Sequence, residues 1–336
     1  MKKSISSSVK GRAALLTADI LVAGLLLCLF CYFHHVRVLW QIGQPTEGEI
    51  VTLPEETLPE EEKEADPVLT EEKEPGIFGE KFADQFLKEG EKTVSTGTLY
   101  VSRNLRMEYS FHSEKIGKDT VQYHYIEVYL RDLSNLSVAY DANARHPAEE
   151  FLTDKAVALI SGDYCGNTNA VKETVRNGVE VRATEEITFD VGVLLRDGSF
   201  FTLTPSEYDR ETLLGMDPWQ VWNFGPGIFD ENGEIRTDCA KTYGESLAGK
   251  KPRQIFCYFE PGHYGFLTIE GRTKKSAGAT YETSAEIVAS LGCRTAYHLD
   301  GGASAYTWFN GRFVRYSDEN KKDDPRPIYD VILLTE

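Results

Sequence analysis

"TYETSAEIVASLGCRTAYHLDGGASAYTWFNG", residues 280–311, places a helix, a strand and a tight turn in direct succession. Tyr281, Ala285, Val288 and Ala289 recur at helical spacing, so 280–292 reads as an amphipathic helix with Gly292 at its C-terminal cap. "TAYHL" (295–299) reads as a short strand that ends on Asp300-Gly301-Gly302. Residues 307–316 then read as a hairpin. Its tip is Asn310-Gly311, a pair that tolerates the left-handed backbone of a two-residue turn.

The same signals continue toward the N-terminus. Runs at 120–130 ("TVQYHYIEVYL") and 263–272 ("HYGFLTIEGR") are rich in β-branched and aromatic residues and read as strands. Residues 189–205 are two apolar runs joined through Arg196-Asp197-Gly198-Ser199, a second hairpin. This mixture predicts an α/β or α+β fold, a single domain on a mixed β-sheet with flanking helices and hairpins. Residues 76–140 form its N-terminal part and 141–336 the remainder, with no second linker between them.

The first 75 residues have a different composition. A tail over 1–12 carries four basic residues and no acid, and an almost wholly apolar run follows. That run fits the ~20 residues needed to cross a bilayer, so 13–35 is expected to be an uncleaved transmembrane anchor. A cleaved signal peptide would have a shorter apolar core and a small-residue cleavage site. By the positive-inside rule the tail is cytoplasmic and the domain lies outside the cell, in a single-pass topology. Residues 44–75 hold 12 acids, two lysines and five prolines, so 36–75 reads as a disordered stalk rather than an acidic interaction tail. The net charge of −17 excludes nucleic acid as a partner, because phosphate backbones need clustered Lys and Arg.

The opening stretch also carries candidate chemistry. Alternate residues of a strand share a face, so His298 and Asp300 point the same way. Gly301 and Gly302 can present backbone N–H groups to an anion, and Ser304 adds a hydroxyl. An ordinary Asp-Gly-Gly bend is the competing reading. Three further stretches have a similar character. "AVALISGDYCGNTNAVKETVRNGVEV" (156–181) ends an apolar run on Gly162-Asp163. "VWNFGPGIFDENGEI" (221–235) holds Gly225-Pro226-Gly227, and 251–273 has Arg253 before one strand and Arg272 after the next.

In this order the segments resemble the phosphodiester glycosidase family. "ALISGDY" is similar to its Ala-Ile-Asn-Gly-Asp-Tyr loop, "NFGPGIFDENGEI" to its Phe-Gly-Pro segment, and "AYHLDGGASA" to its Asn-Leu-Asp-Gly-Gly-Gly-Ser-Ser signature. "RPIYDVILL" (326–334) resembles its last strand. The resemblance implies hydrolysis of a sugar 1-phosphodiester in a phosphate-linked glycan or cell-wall polymer. Asp300 and Asp163 are then candidates for the acid/base or nucleophile pair that such cleavage requires. His263 is a further candidate proton carrier by its intrinsic pKa, against the reading of a lone structural His in a strand-rich segment. Arg253, Arg272, Gly162, His298, Gly301, Gly302 and Ser304 become substrate-binding candidates.

The chain also departs from the family pattern. His298 replaces Asn, Ala303 the third glycine, Ala305 the second serine, and Ser161 the loop Asn. Gln254-Ile255-Phe256-Cys257 stands where Thr-Ala-Ile-Gly is expected. A degenerate member that binds glycan as a non-enzymatic envelope module is therefore the alternative. No cofactor is implied. Asp163 and Asp300 could share a divalent cation, but no tight His/Cys spacing supports a metal. Cys28 and Cys31 lie in the apolar run, while an exported domain permits disulfides among Cys165, Cys239, Cys257 and Cys293. Cys165 and Cys257, both in motif segments, are either a substitute brace or free thiols.

Overall fold

The strands of the computed structural model pair antiparallel throughout, and its described residues are 77–165, 172–239, 243–315 and 325–336. The expected tail, anchor and stalk lie outside these residues. Among the described residues no helix is long and apolar enough to cross a membrane.

The strands form three sheets. The seven-stranded sheet runs through Val94–Ser95, Leu99–Val101, Leu105–Ile116, Asp119–Leu130, His263–Ile269, Arg253–Glu260 and Thr295–Leu299. A five-stranded sheet orders Phe200–Leu203, Val191–Leu195, Pro218–Trp222, Thr174–Arg176 and Val179–Arg182. The other five-stranded sheet orders Arg312–Arg315, Thr307–Phe309, Ala156–Ser161, Asp330–Thr335 and Leu136–Tyr140. The expected mixed sheet is thus corrected to antiparallel sheets with few helices. A parallel pair needs a crossover, usually a helix, whereas seven pairs of consecutive strands among the described residues pair directly with each other as antiparallel neighbours.

The predicted hairpins form where their turn residues allow. Phe200–Leu203 pairs with Val191–Leu195, and Thr307–Phe309 with Arg312–Arg315. Asn310 and Gly311 both have positive φ, as that tight turn requires. The predicted helix spans Tyr281–Ser290, with the Thr280 side chain capping the Thr283 N–H and Gly292 at φ 76° beyond its end. Its buried face is Tyr281, Ser284, Ala285, Ile287 and Val288, whereas Ala289 is exposed. This face packs with Ile255, Cys257, Leu267 and Ala296 of the large sheet, so the helix covers the strands that lead to Asp300. Burying one such aliphatic side chain contributes ~1.5–3 kcal/mol.

A second core lies where aromatic side chains from two sheets meet: Phe200, Trp222, Phe256, Tyr264, Phe266 and Tyr297 are buried together. The Tyr297 hydroxyl shares its one proton between the Asp190 and Trp222 carbonyls, at 2.8 and 2.9 Å, and accepts from the Phe224 N–H. That one residue fixes the end of Thr295–Leu299 against the loop after Pro218–Trp222.

Candidate active site

The Asp300 N–H donates to the Gly162 carbonyl at 2.9 Å, so the two motif loops meet at their backbones. Ser161 joins them again: its hydroxyl donates to the Ser304 carbonyl at 2.5 Å and accepts from the Tyr306 N–H at 2.6 Å. Serine thus fills the family's Asn position with a loop-to-loop link of its own. Beside this junction is a cavity of about 440 Å³, lined by Tyr164, Lys172, Phe189, Asn223, Phe224, Tyr243, Lys251, Arg253, His298, Asp300, Gly301 and Gly302, among others. A depression of about 600 Å³ around Arg103, Arg131 and Glu336 holds none of the motif residues.

Asp300 is half-buried at the cavity wall. Burial raises its carboxyl to about 6, opposed by the Ser304 hydroxyl and the charges of Arg326 and Lys172, with Asp163 adding to the rise. His298 lines the same cavity, as strand alternation predicts. Burial and then the Arg253 charge pull its pKa well below the usual range, so its ring is neutral. The Ser284 hydroxyl is donated to the Tyr281 carbonyl at 2.7 Å, so at 3.3 Å it accepts from His298 Nε2. That assigns the ring proton to Nε2 and leaves Nδ1 as an acceptor.

Asp163 does not line this cavity. Its side chain is fully buried. Oδ1 accepts from Arg176 at 2.5 Å and Oδ2 from the Asn223 N–H at 2.6 Å. Arg176 also reaches Asp330 at 3.1 Å, and Asp330 accepts the N–H groups of Asp163 and Tyr164. Burial alone would raise Asp163, but Arg176, Lys172 and the Asn223 N–H hold it below the usual carboxylate range. Asp330, displaced by burial and by the charge of Asp163, rises to about 7. Both Asp163 carboxylate oxygens are thus taken up by protein partners. Asp163, Cys165 and Asp330 do bring one ligand atom each within 4.8 Å of one another, but the Arg176 guanidinium supplies the positive charge there.

The other predicted residues divide similarly. Arg253 lines the cavity, yet its guanidinium donates to the carbonyls of Ala279, Ser246, Leu247 and Gly249 at 2.8–3.1 Å. The Gly302 N–H, expected to hold an anion, donates instead to the Pro252 carbonyl at 2.9 Å. Gly301 is required sterically, since a Cβ there would lie 2.7 Å from the Pro252 carbonyl oxygen. Gly302 has φ 62°, and a Cβ on it would lie 3.5 Å from the exposed Arg272 guanidinium. The left-handed position is Gly302 rather than Ala303, so the missing third glycine leaves no strained alanine. Gly162 packs against Asp330, where a Cβ would collide with the carboxylate. Ser304 is buried behind the turn. His263 is not brought to the cavity. It sits at the opposite end of its strand, bonded to Glu127 at 2.9 Å and stacked between Tyr129 and Phe259. The four outer cysteines are free and buried, with Cys165 beside Asp330 and Arg176 and Cys257 beside Cys293, so no Cys165–Cys257 brace forms.

A model of the phosphodiester glycosidase family matches residues 154–335, a span that contains every element of this cavity. The chain belongs to the phosphodiester glycosidase family. A curated relative, the SPbeta prophage-derived uncharacterized protein YomE of Bacillus subtilis, is 24% identical over 182 residues, covering 53% of this chain and 28% of that one. The catalytic domain of zebrafish N-acetylglucosamine-1-phosphodiester alpha-N-acetylglucosaminidase, auto-inhibited by its pro-peptide, shares the fold. Its TM-score is 0.56 at 19% identity, over 73% of this chain and 88% of that one. A Synechocystis protein of unassigned activity also shares it, with TM-score 0.51 at 11% identity over 73% and 64% of the two chains.

For this phosphodiester glycosidase family member, the cavity residues that sequence reasoning missed are Lys172, Lys251, Phe224, Asn223, Tyr243 and Phe189. Phe224 and Asn223 adjoin the Phe-Gly-Pro segment and were within reach of that motif. Phe189 and Tyr243 stack at 5.1 Å, but no local signal connects residues so far apart in the chain.

Proposed function

We propose that this protein hydrolyses a sugar 1-phosphodiester outside the membrane, breaking the C1–O bond of a phosphate-linked glycan or wall polymer. The observation that carries the reading is the cavity in which Asp300 shares a wall with neutral His298 and cationic Lys172 and Lys251. Asp300 is the one carboxylate lining it among the described residues.

A single carboxylate suits this bond. Glycosidases that release an alcohol need an acid to protonate the leaving oxygen and a second carboxylate to supply the attacking group. A phosphate monoester leaves as a stable anion, so a nearby cation takes the place of the acid. Asp300 then acts in its ionised form as general base. It takes a proton from water, the water oxygen bonds to C1, and the electron pair of the C1–O bond departs on the phosphate. One displacement by water inverts the anomeric centre. Neutral His298 can accept from a sugar hydroxyl through Nδ1 without introducing charge, and the Phe189–Tyr243 stack offers an apolar wall to a ring.

The test is hydrolysis of a synthetic sugar 1-phosphodiester by the full-length chain in detergent, followed by phosphorus NMR. A phosphomonoester product is expected, at a rate that rises as pH rises through about 6, as Asp300 ionises. Binding without turnover across a panel of such sugars would leave the second reading, a glycan-binding module. The commitment of Arg253 to carbonyls and of Asp163 to Arg176 is the observation that favours it.

The topology is part of the proposal. Protease added to intact cells is expected to release the domain by cutting within 36–75. A domain protected until lysis would place it on the other side of the membrane.

A further inference from the structure

We infer that Lys172 is the anion-holding group of the cavity, contacting the phosphate of the ligand in the place where the sequence pattern pointed to Arg253. The inference rests on the phosphate-ester reading above, and its test separates the two.

Arg253 has little left to offer an anion. Its Nε and Nη2 protons, and one on Nη1, go to four backbone carbonyls, which bind the segment 246–249 and Ala279 to the large sheet. It is a structural clamp whose charge contributes only at a distance.

Lys172 is placed for the role. Its side chain is buried, yet it lines the cavity. Nζ donates to the carbonyls of Asp163 and Tyr164, both at 3.2 Å, and a third N–H remains. Those acceptors belong to the loop whose backbone meets Asp300, so the ammonium is fixed relative to the reacting carboxylate. The rings of Tyr164 and Phe224 flank it at 5.8 and 5.9 Å, and both line the cavity. Among the described residues no carboxylate lies within ion-pair distance of Nζ, since Asp163 is turned to Arg176. A buried ammonium held by two carbonyls, open to a cavity and without a close counter-ion among the described residues, gains from an arriving phosphate anion.

The charge also bears on Asp300, which feels Arg326, Lys172 and Asp163 and shares the cavity lining with Lys251 and Arg253. Lys172 favours the ionised carboxylate. A cation at this point therefore holds the phosphate and keeps the base ready in neutral solution.

The experiment uses the full-length chain in detergent with inorganic phosphate as the probe, and compares wild type, Lys172→Gln, Lys172→Arg and Arg253→Lys. Thermal melting establishes that each is folded. Phosphate affinity is expected to fall about tenfold or more in Lys172→Gln, the scale of a lost charged hydrogen bond, and to return largely in Lys172→Arg. Arg253→Lys is expected to keep phosphate affinity within about threefold while melting at lower temperature. Where turnover is measurable, Lys172→Gln raises KM and moves the acidic limb of the rate profile to higher pH. Phosphate that binds Lys172→Gln as tightly as wild type overturns the inference, whatever the turnover. So does the absence of any phosphate binding to wild type. Phosphate binding that depends on Lys172 in a protein without hydrolysis upholds the inference and overturns the catalytic reading.

Discussion

Asp300→Asn is expected to lower turnover by at least ~100-fold, the scale of a lost proton-transfer group, while stability moves by no more than about 1 kcal/mol. The substitution keeps the shape of the strand end and removes the charge that takes up the proton of water. Little stability is at stake, because Asp300 belongs to no ion pair within 4 Å among the described residues, and burial disfavours its charged form. Kinetics and thermal melts of the same preparation check both parts. Full turnover in Asp300→Asn rejects its role as base. A loss of several kcal/mol instead makes it a turn residue, the bend that Asp-Gly-Gly alone would suggest.

Arg176→Met is expected to have the opposite signature, a loss of about 3–5 kcal/mol, as when one member of a buried ion pair is removed. Two carboxylates depend on this guanidinium. Without it, Asp163 and Asp330 face each other in a site with almost no exposure to water. The cost reaches function indirectly, because the same network orients the Tyr164 and Asn223 backbones that border the cavity. Denaturant unfolding measures the effect. A loss below about 1 kcal/mol would mean that the network relaxes by protonation, as the raised pKa of Asp330 would permit.

The contrast between Asp300 and Asp163 also shows what a sequence can reveal. Both follow apolar strands and stand beside glycine, and both match a family motif. They differ in their partners: Arg176 lies 13 positions from Asp163, while Asp330 lies 167 positions away. Long-range burial of this kind leaves no local pattern. Hairpins were legible because their turns need particular residues, as Asn310-Gly311 shows, and the helix because its cap and apolar spacing agree. The antiparallel sheets were not, since alternation within a strand does not say which neighbour it pairs with. Arg253 was found as a cavity residue, but its orientation toward carbonyls depends on the chain 246–249 folding over it. Lys172 escaped notice because lysines are usually solvated, and only the loop carbonyls of Asp163 and Tyr164 hold this one inside.

Everything proposed for Asp300 turns on which bond breaks, and hydrolysis in ¹⁸O-labelled water reports that bond. If Asp300 activates water toward C1, the label appears on the anomeric hydroxyl of the released sugar and the phosphate monoester carries none. Label in the phosphate would mean attack at phosphorus. The protein would then be a phosphodiesterase on this scaffold, and Asp300 would have no role as a base at C1.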